Sequence, residues 1–200
     1  MFKLTDKLCV FLIVSFLFLS GCAGTKVAGT RVDLTPESEP EPWLELTRPD
    51  GMISIMDSLF GKGNWVRVDN LHNSLWRATA GATVRAVAKF SSAQSNVWFG
   101  PEELFTVSEN FISLTDGAAV DIGREGVFSF LNKTGGQTWS SLAKDNSDAR
   151  NHVVIFKITG QGNDNYAVGD YVIAWEDLGV EGDYDYNDLV LLLHNLEPVK

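Results

Sequence analysis

Cysteine is almost absent from this chain. Cys9 and Cys22 are the only two among 200 residues, and both lie close to its start. We therefore expect no disulfide scaffold, no thiol nucleophile and no cysteine ligands for structural zinc in the folded part.

The sequence also lacks the signatures of the common enzyme classes. Its three histidines form no His-Glu-x-x-His motif, and neither a Gly-x-Ser-x-Gly motif nor a phosphate-binding glycine loop occurs. We interpret His152 and His194, at either end of predicted strands, as structural. Basic residues are few, since 16 lysines and arginines face 26 acidic residues for a net charge of -10. This charge argues against a nucleic-acid partner, because phosphate binding needs a basic surface.

Residues 1–21 have the pattern of a signal peptide. Lys3 and Lys7 precede an apolar run, residues 8–19, that is too short to span a bilayer comfortably. The run ends in Leu19-Ser-Gly-Cys22, which resembles a bacterial lipobox. That resemblance implies cleavage before Cys22, attachment of acyl chains such as palmitate to it, and membrane anchoring. Ala23, where an aspartate would resemble an inner-membrane retention signal, indicates the outer membrane. The alternative is an ordinary signal peptide or a short membrane anchor.

We interpret residues 22–42 as a tether. They end in Pro36-Glu-Ser-Glu-Pro-Glu-Pro42, where proline removes backbone donors and the glutamates repel one another, so we expect an extended segment. We assign a single folded domain to residues 43–197, in keeping with an apolar content of 44%.

The domain is dominated by short β patterns. Apolar residues at helical spacing in residues 52–60, followed by Gly61, predict one short N-terminal helix. Alternating or apolar runs bounded by Asn, Gly and Ser then predict strands at residues 65–68, 75–79, 83–90, 96–99, 111–114, 118–122, 127–131, 137–140, 152–158, 171–175 and 188–193. Two packed sheets best bury the apolar faces of so many strands. We predict an all-β fold, an antiparallel β-sandwich with jelly-roll-like connections, and a hairpin loop at residues 160–165.

The acidic run, residues 175–190, is the most informative stretch. It contains Glu181 among its carboxylates, and no lysine or arginine occurs between Lys157 and Lys200. We therefore expect no protein cation close to these carboxylates. Crowded carboxylates raise their pKa values, repel one another in water, or share a divalent cation. The alternation of Asp183, Asp185 and Asn187 favours the cation, because an extended segment would point their oxygens to one side and the intervening tyrosines to the other.

The run is therefore a candidate calcium loop, because calcium accepts six to eight oxygen ligands in irregular geometry. An EF-hand fits poorly, since Asp188 would occupy the position of the turn glycine and His194 that of the bidentate glutamate. The nonapeptide of repeat-in-toxin proteins does not recur. The alternative is a solvated acidic turn.

Several motifs across residues 52–193 resemble an extracellular bacterial domain of uncharacterised function, found in secreted, adhesin-like and sorting-signal proteins. They are Ser58-Leu-Phe-Gly61, Asn64-Trp-Val-Arg-Val-Asp69, Val127-Phe-Ser-Phe-Leu131, Asn151-His-Val-Val-Ile-Phe156, Trp175-Glu-Asp-Leu178 and Asp183-Tyr-Asp-Tyr-Asn-Asp188. The resemblance implies a β-sandwich with a calcium site, and the matching residues are Glu176, Asp177, Asp183, Asp185, Asn187 and Asp188. It implies no activity.

Two classes of function follow. The first is a lipid-anchored, calcium-dependent binding, adhesion or structural module of the cell envelope, with a glycan or an envelope or surface protein as partner. Six tryptophans could supply aromatic contacts, although their alternation with apolar residues places most of them in the core. The alternative is a carbohydrate-active enzyme or its glycan-binding accessory. We expect no enzyme, because calcium-bound carboxylates donate protons poorly and these share one loop.

Overall fold

The computed structural model describes residues 51–71, 73–179 and 182–199. The predicted signal peptide, the tether and Cys22 lie outside these residues, as does the start of the predicted domain at Trp43. None of the described helices has the length and apolar character needed to cross a membrane.

The described residues form one α-helix and twelve β-strands. The helix, α1, spans Met52–Phe60, and Gly61 follows it with φ 83°. The strands are β1 (Trp65–Arg67), β2 (Leu75–Lys89), β3 (Ser95–Phe99), β4 (Glu102–Val107), β5 (Phe111–Ile112), β6 (Ala119–Asp121), β7 (Val127–Phe128), β8 (Phe130–Thr134), β9 (Gln137–Ser140), β10 (Val153–Ile158), β11 (Tyr171–Trp175) and β12 (Leu189–Val199).

The strands pair into two antiparallel sheets. The larger has the order β1-β10-β11-β12-β2-β5, with β6 and β7 also pairing with β2, and the smaller has the order β4-β3-β8-β9. Strands β2 and β12 pair from Ala88 opposite Val190 to Leu75 opposite Val199. The antiparallel pairing of β10 with β11 makes residues 160–165 part of a hairpin connection, as predicted. The predicted all-β sandwich with one short N-terminal helix is confirmed.

The centre of the larger sheet is buried on both faces. In β10, Val153 and Ile155 belong to the core shared with the smaller sheet, whereas Val154 and Phe156 belong to a second core under α1. The helix contributes to that second core through Met52, Ile55, Met56 and Phe60. Burial on both faces explains why β10, β11 and β12 read as nearly continuous apolar runs.

One predicted break in the larger sheet does not exist. The strands predicted at residues 75–79 and 83–90 form the single strand β2, which ends at Lys89. Pairing with β12 continues across a register shift between His194 and Leu196. At this shift Asn195 has φ 54°, and its amide donates to the carbonyls of Ala80 and Gly81, both at 3.3 Å. A bulge therefore occurs where the sequence suggested a turn.

The strand predicted at residues 127–131 is two strands. Its first part, β7, pairs with β2 in the larger sheet, whereas β8 pairs with β3 and β9 in the smaller one. Strand β4 was not predicted, because only a brief apolar segment interrupts its polar sequence.

Candidate metal centre

The acidic run joins β11 to β12 at one end of the larger sheet. Trp175, the last residue of β11, is paired with Leu189, the first of β12. Strand pairing therefore places the next residues outward, Glu176 and Asp188, beside each other. The two ends of the run meet, as a chelating loop requires.

The carboxylates of the run form two overlapping groups. Glu176, Asp177 and Asp188 make one, and Glu176, Asp183 and Asp185 make the other. Within each group, one oxygen per residue lies within 4.8 Å of the others. Oxygens on opposite sides of a calcium ion are about 5 Å apart, so either group could hold a metal ion. Glu181 lies outside the described residues.

Asn187, the remaining predicted ligand, lies beside Asp185. Its side-chain amide nitrogen donates to Asp185 Oδ2 at 2.6 Å, and its backbone N–H donates to Asp185 Oδ1 at 3.1 Å. All six residues matched by the resemblance therefore lie at this end of the sheet, and Asn187 fixes the orientation of one of the carboxylates.

Glu176 is buried at the junction of the two groups, with only 1% of its surface exposed. Its Oε1 accepts the backbone N–H of Leu178 at 3.2 Å, while Oε2 is buried and has no hydrogen-bond donor among the described residues. Gly182 packs against this carboxylate, and a Cβ there would lie 2.7 Å from Oε1. A buried carboxylate oxygen without a donor is unfavourable unless a cation or a proton compensates it. The residues present therefore suit a cation.

Burial, together with the acidic neighbours, disfavours ionisation within the site. Burial raises the pKa of Glu176 to about 8, and the charges of Asp188, Asp183 and Asp185 act in the same direction. Burial also raises the pKa of Asp188 to about 7, with contributions from Asp177 and Asp185. The N–H of Asp177, which donates to Asp188 Oδ2 at 2.7 Å, opposes that rise. Without a cation, these two carboxyls therefore hold protons at pH values where isolated ones would not.

Asp177 connects the run to both sheets. Its Oδ2 accepts hydrogen bonds from the hydroxyls of Ser91 and, at 3.4 Å, of Thr134, and its carbonyl accepts the indole N–H of Trp139 at 2.8 Å. Ser91 follows β2 of the larger sheet, whereas Thr134 and Trp139 belong to β8 and β9 of the smaller one. The side chain of Asp177 is thus fixed before any ligand arrives.

A lysine lies near the site, contrary to the prediction. Lys89, the last residue of β2, is fully buried, and its ammonium donates to the carbonyl of Ser91 and, at 3.4 Å, to Asn110 Oδ1. Burial lowers the pKa of Lys89, while the charges of Asp177 and Asp188 act against that lowering. The prediction considered neighbours in sequence only, and it was wrong because the pairing of β2 with β12 brings this distant lysine close.

His152 holds the backbone of Glu176. The ring is buried and stacks on Trp139, with centroids 3.8 Å apart. Its Nδ1 lies 3.1 Å from the carbonyl of Glu176 and its Nε2 lies 3.0 Å from Asp148 Oδ2. The N–H of Glu176 donates back to the carbonyl of His152 at 3.0 Å. The ring therefore has a structural role beside the site, which agrees with the sequence interpretation.

The backbone from Asp183 to Asn187 is not extended throughout, so the interpretation of these residues as an extended segment was wrong. Tyr184 and Tyr186 have φ values of 56° and 55°, in the left-handed region that bulky residues rarely adopt. Tyr186 is buried in the core under α1, and the hydroxyl of Tyr184 accepts a hydrogen bond from Arg150 at 3.2 Å. These contacts fix the turn that brings the acidic residues of this segment to Glu176.

The family comparison concerns the part of the chain that contains this site. Residues 113–194 match the family model of a domain of unknown function (DUF4114). The match contains the complete acidic run and supports the presence of an uncharacterised domain. No curated protein and no solved structure matches the chain.

Proposed function

We propose that the chain is a lipid-anchored, calcium-binding β-sandwich that serves as a binding, adhesion or structural module of the bacterial cell envelope. The observation that carries the proposal is the buried Oε2 of Glu176, which has no donor among the described residues. It belongs to a carboxylate that has an oxygen within 4.8 Å of other carboxylate oxygens. A divalent cation would satisfy this oxygen and offset the repulsion around it.

The donor set favours calcium over other metals. It consists of carboxylates with one asparagine amide beside them, and hard oxygen donors suit calcium and magnesium better than zinc or copper. The irregular backbone at Tyr184 and Tyr186 suits an ion that tolerates variable geometry. Magnesium requires a near-octahedral shell and loses its waters reluctantly.

The location and partners are proposed from the sequence. The apolar run that ends at Cys22 supports a lipid anchor, Ala23 supports the outer membrane, and the tether of residues 22–42 would hold the domain away from it. A glycan or an envelope or surface protein is the proposed partner, and the net charge of -10 argues against nucleic acid.

A carbohydrate-active enzyme is the second candidate. The raised pKa values of Glu176 and Asp188 favour it, because a glycosidase uses one carboxyl as a proton donor. Burial weakens it, since Glu176 is 1% exposed and a sugar could not reach its oxygens without displacing the loop. We therefore propose a protein without catalytic activity.

Calcium binding can be tested by calorimetry and thermal unfolding of the purified protein in EDTA, calcium or magnesium. Extracellular calcium modules bind at roughly 0.1–1 mM, so millimolar calcium should add about 0.5–1.5 kcal/mol to the free energy of unfolding and raise the melting midpoint by a few degrees. Magnesium should add less.

Asp185→Asn should weaken calcium binding, whereas Asp121→Asn, at an exposed position of β6, should leave it unchanged. A wild-type midpoint that calcium does not change, together with no heat of binding, would support the solvated acidic turn instead.

A further inference from the structure

We propose that the acidic run binds two calcium ions that share Glu176 as a bridging ligand. The inference rests on the proposed calcium binding and adds the number of ions and the role of each carboxylate. The carboxylate oxygens form two groups, of which one contains Asp177 and Asp188 and the other contains Asp183 and Asp185. Glu176 alone belongs to both groups.

Glu176 has the capacity to bridge. A carboxylate offers about four acceptor positions on its two oxygens. Only one protein donor, the N–H of Leu178, uses Oε1, and Oε2 has no donor among the described residues. The side chain is also immobilised by burial and by the backbone of Gly182, so both oxygens keep fixed positions.

The charges of the site match two divalent cations. Its five described carboxylates carry five negative charges when ionised, and Lys89 contributes one positive charge close to Asp177 and Asp188. The sum is four negative charges, which two calcium ions balance. One ion would leave two negative charges in a mostly buried site, and protons would have to neutralise them.

The two proposed positions differ in their surroundings. At the position of Asp177 and Asp188, the hydroxyls of Ser91 and Thr134 donate to the Asp177 carboxylate, and the N–H of Asp177 donates to the Asp188 carboxylate. The other position includes Asp183, which is exposed. Changing Asp183 therefore alters the second position with little effect on the core, and it gives a selective variant.

The number of bound ions decides the proposal. Calorimetry of the purified protein with calcium chloride, checked by equilibrium dialysis, should give two ions for the wild type and for the control Asp121→Asn. Asp183→Asn and Asp188→Asn should each retain one ion. Glu176→Gln, which removes the bridge, should lower calcium affinity at both positions by at least about tenfold, a change that corresponds to 1.4 kcal/mol.

Three results would overturn the bridge. A single bound ion in the wild type would refute the bridge but leave the proposed calcium binding intact. No bound ion would refute the bridge and the calcium binding together. Two ions that both persist with unchanged affinity in Glu176→Gln would place two independent sites in the run. If Glu176→Gln fails to fold by circular dichroism, the wild type and Asp183→Asn decide the matter, because the proposal requires two ions in the first and one in the second.

Discussion

The carboxyls of the acidic run should make the stability of this domain depend on pH, and calcium should alter that dependence. Without calcium, the pKa values of Glu176 and Asp188 in the folded state are raised to about 8 and about 7, from ordinary values of 4.5 and 3.8. At pH values between the ordinary and the raised pKa values, the folded protein binds more protons than the unfolded chain. The free energy of unfolding should therefore fall as pH rises through this window.

The size of the effect follows from the two pKa values. For Glu176 alone, a rise of the pKa from 4.5 to about 8 corresponds to a loss of a few kcal/mol in the free energy of unfolding between pH 5 and pH 8. The two carboxyls titrate together, so their separate effects cannot be added, and we expect a total on the order of 2–4 kcal/mol. In a domain of this size that corresponds to a fall of about 5–15 °C in the melting midpoint.

Calcium should act most strongly at the higher pH. Metal ligands must be deprotonated, so protons compete strongly with calcium for the carboxylates at pH 5 and much less at pH 8. The difference between the midpoints in calcium and in EDTA should therefore grow as pH increases. Glu176→Gln should flatten the pH profile in EDTA and remove most of the calcium effect, whereas Glu197→Gln, at an exposed position of β12, should behave like the wild type.

The assay is thermal unfolding of the purified protein from pH 5 to pH 8, with EDTA or with millimolar calcium. A midpoint in EDTA that stays constant or rises with pH would refute the reasoning, because it would show that these carboxyls ionise in the folded state as readily as in the unfolded chain.

Two further predictions concern the anchor and the absence of turnover. The protein should partition into detergent and Cys22→Ser should fail to mature, because several acyl chains hold a protein firmly at about 0.8 kcal/mol per buried methylene; processing of this variant to a water-soluble form would contradict the anchor. Polysaccharide, ester and peptide panels with calcium should give no hydrolysis, and activity lost on changing a single carboxylate outside residues 183–188 would support the enzyme instead.

The sequence predicted the fold class because the helical spacing and the strand alternation of its apolar residues are both clear. Apolar residues at helical spacing ended by Gly61 gave the bounds of α1, and alternating runs gave most strands. The position of α1 over the larger sheet could not be predicted, because a continuous apolar run such as residues 153–158 shows that both faces are covered without showing what covers them. Where strands begin and end also depended on partners, as the division of residues 127–131 between the two sheets illustrates.

The part of the candidate site that consists of residues close together in sequence could be predicted. The spacing of acidic residues between β11 and β12 was enough to predict that they meet. Lys89, Ser91 and Thr134 reach the site only through pairing and packing across the fold, and a lysine at the end of an apolar strand is ordinarily exposed. The left-handed turns at two tyrosines could not be predicted either, since aromatic residues rarely adopt them.

The pairing of β2 with β12 has a consequence for the order in which the protein folds. These strands are among the first and last of the described sheet, yet Leu75 lies opposite Val199 and the two adjoin each other in its interior. The larger sheet cannot close until the end of the chain is available, so its central contacts require the closure of long loops and should form slowly. Until then β11 and β2 each present an unpaired edge, and such edges promote aggregation. A chain that ended before residue 189 would keep both edges open permanently.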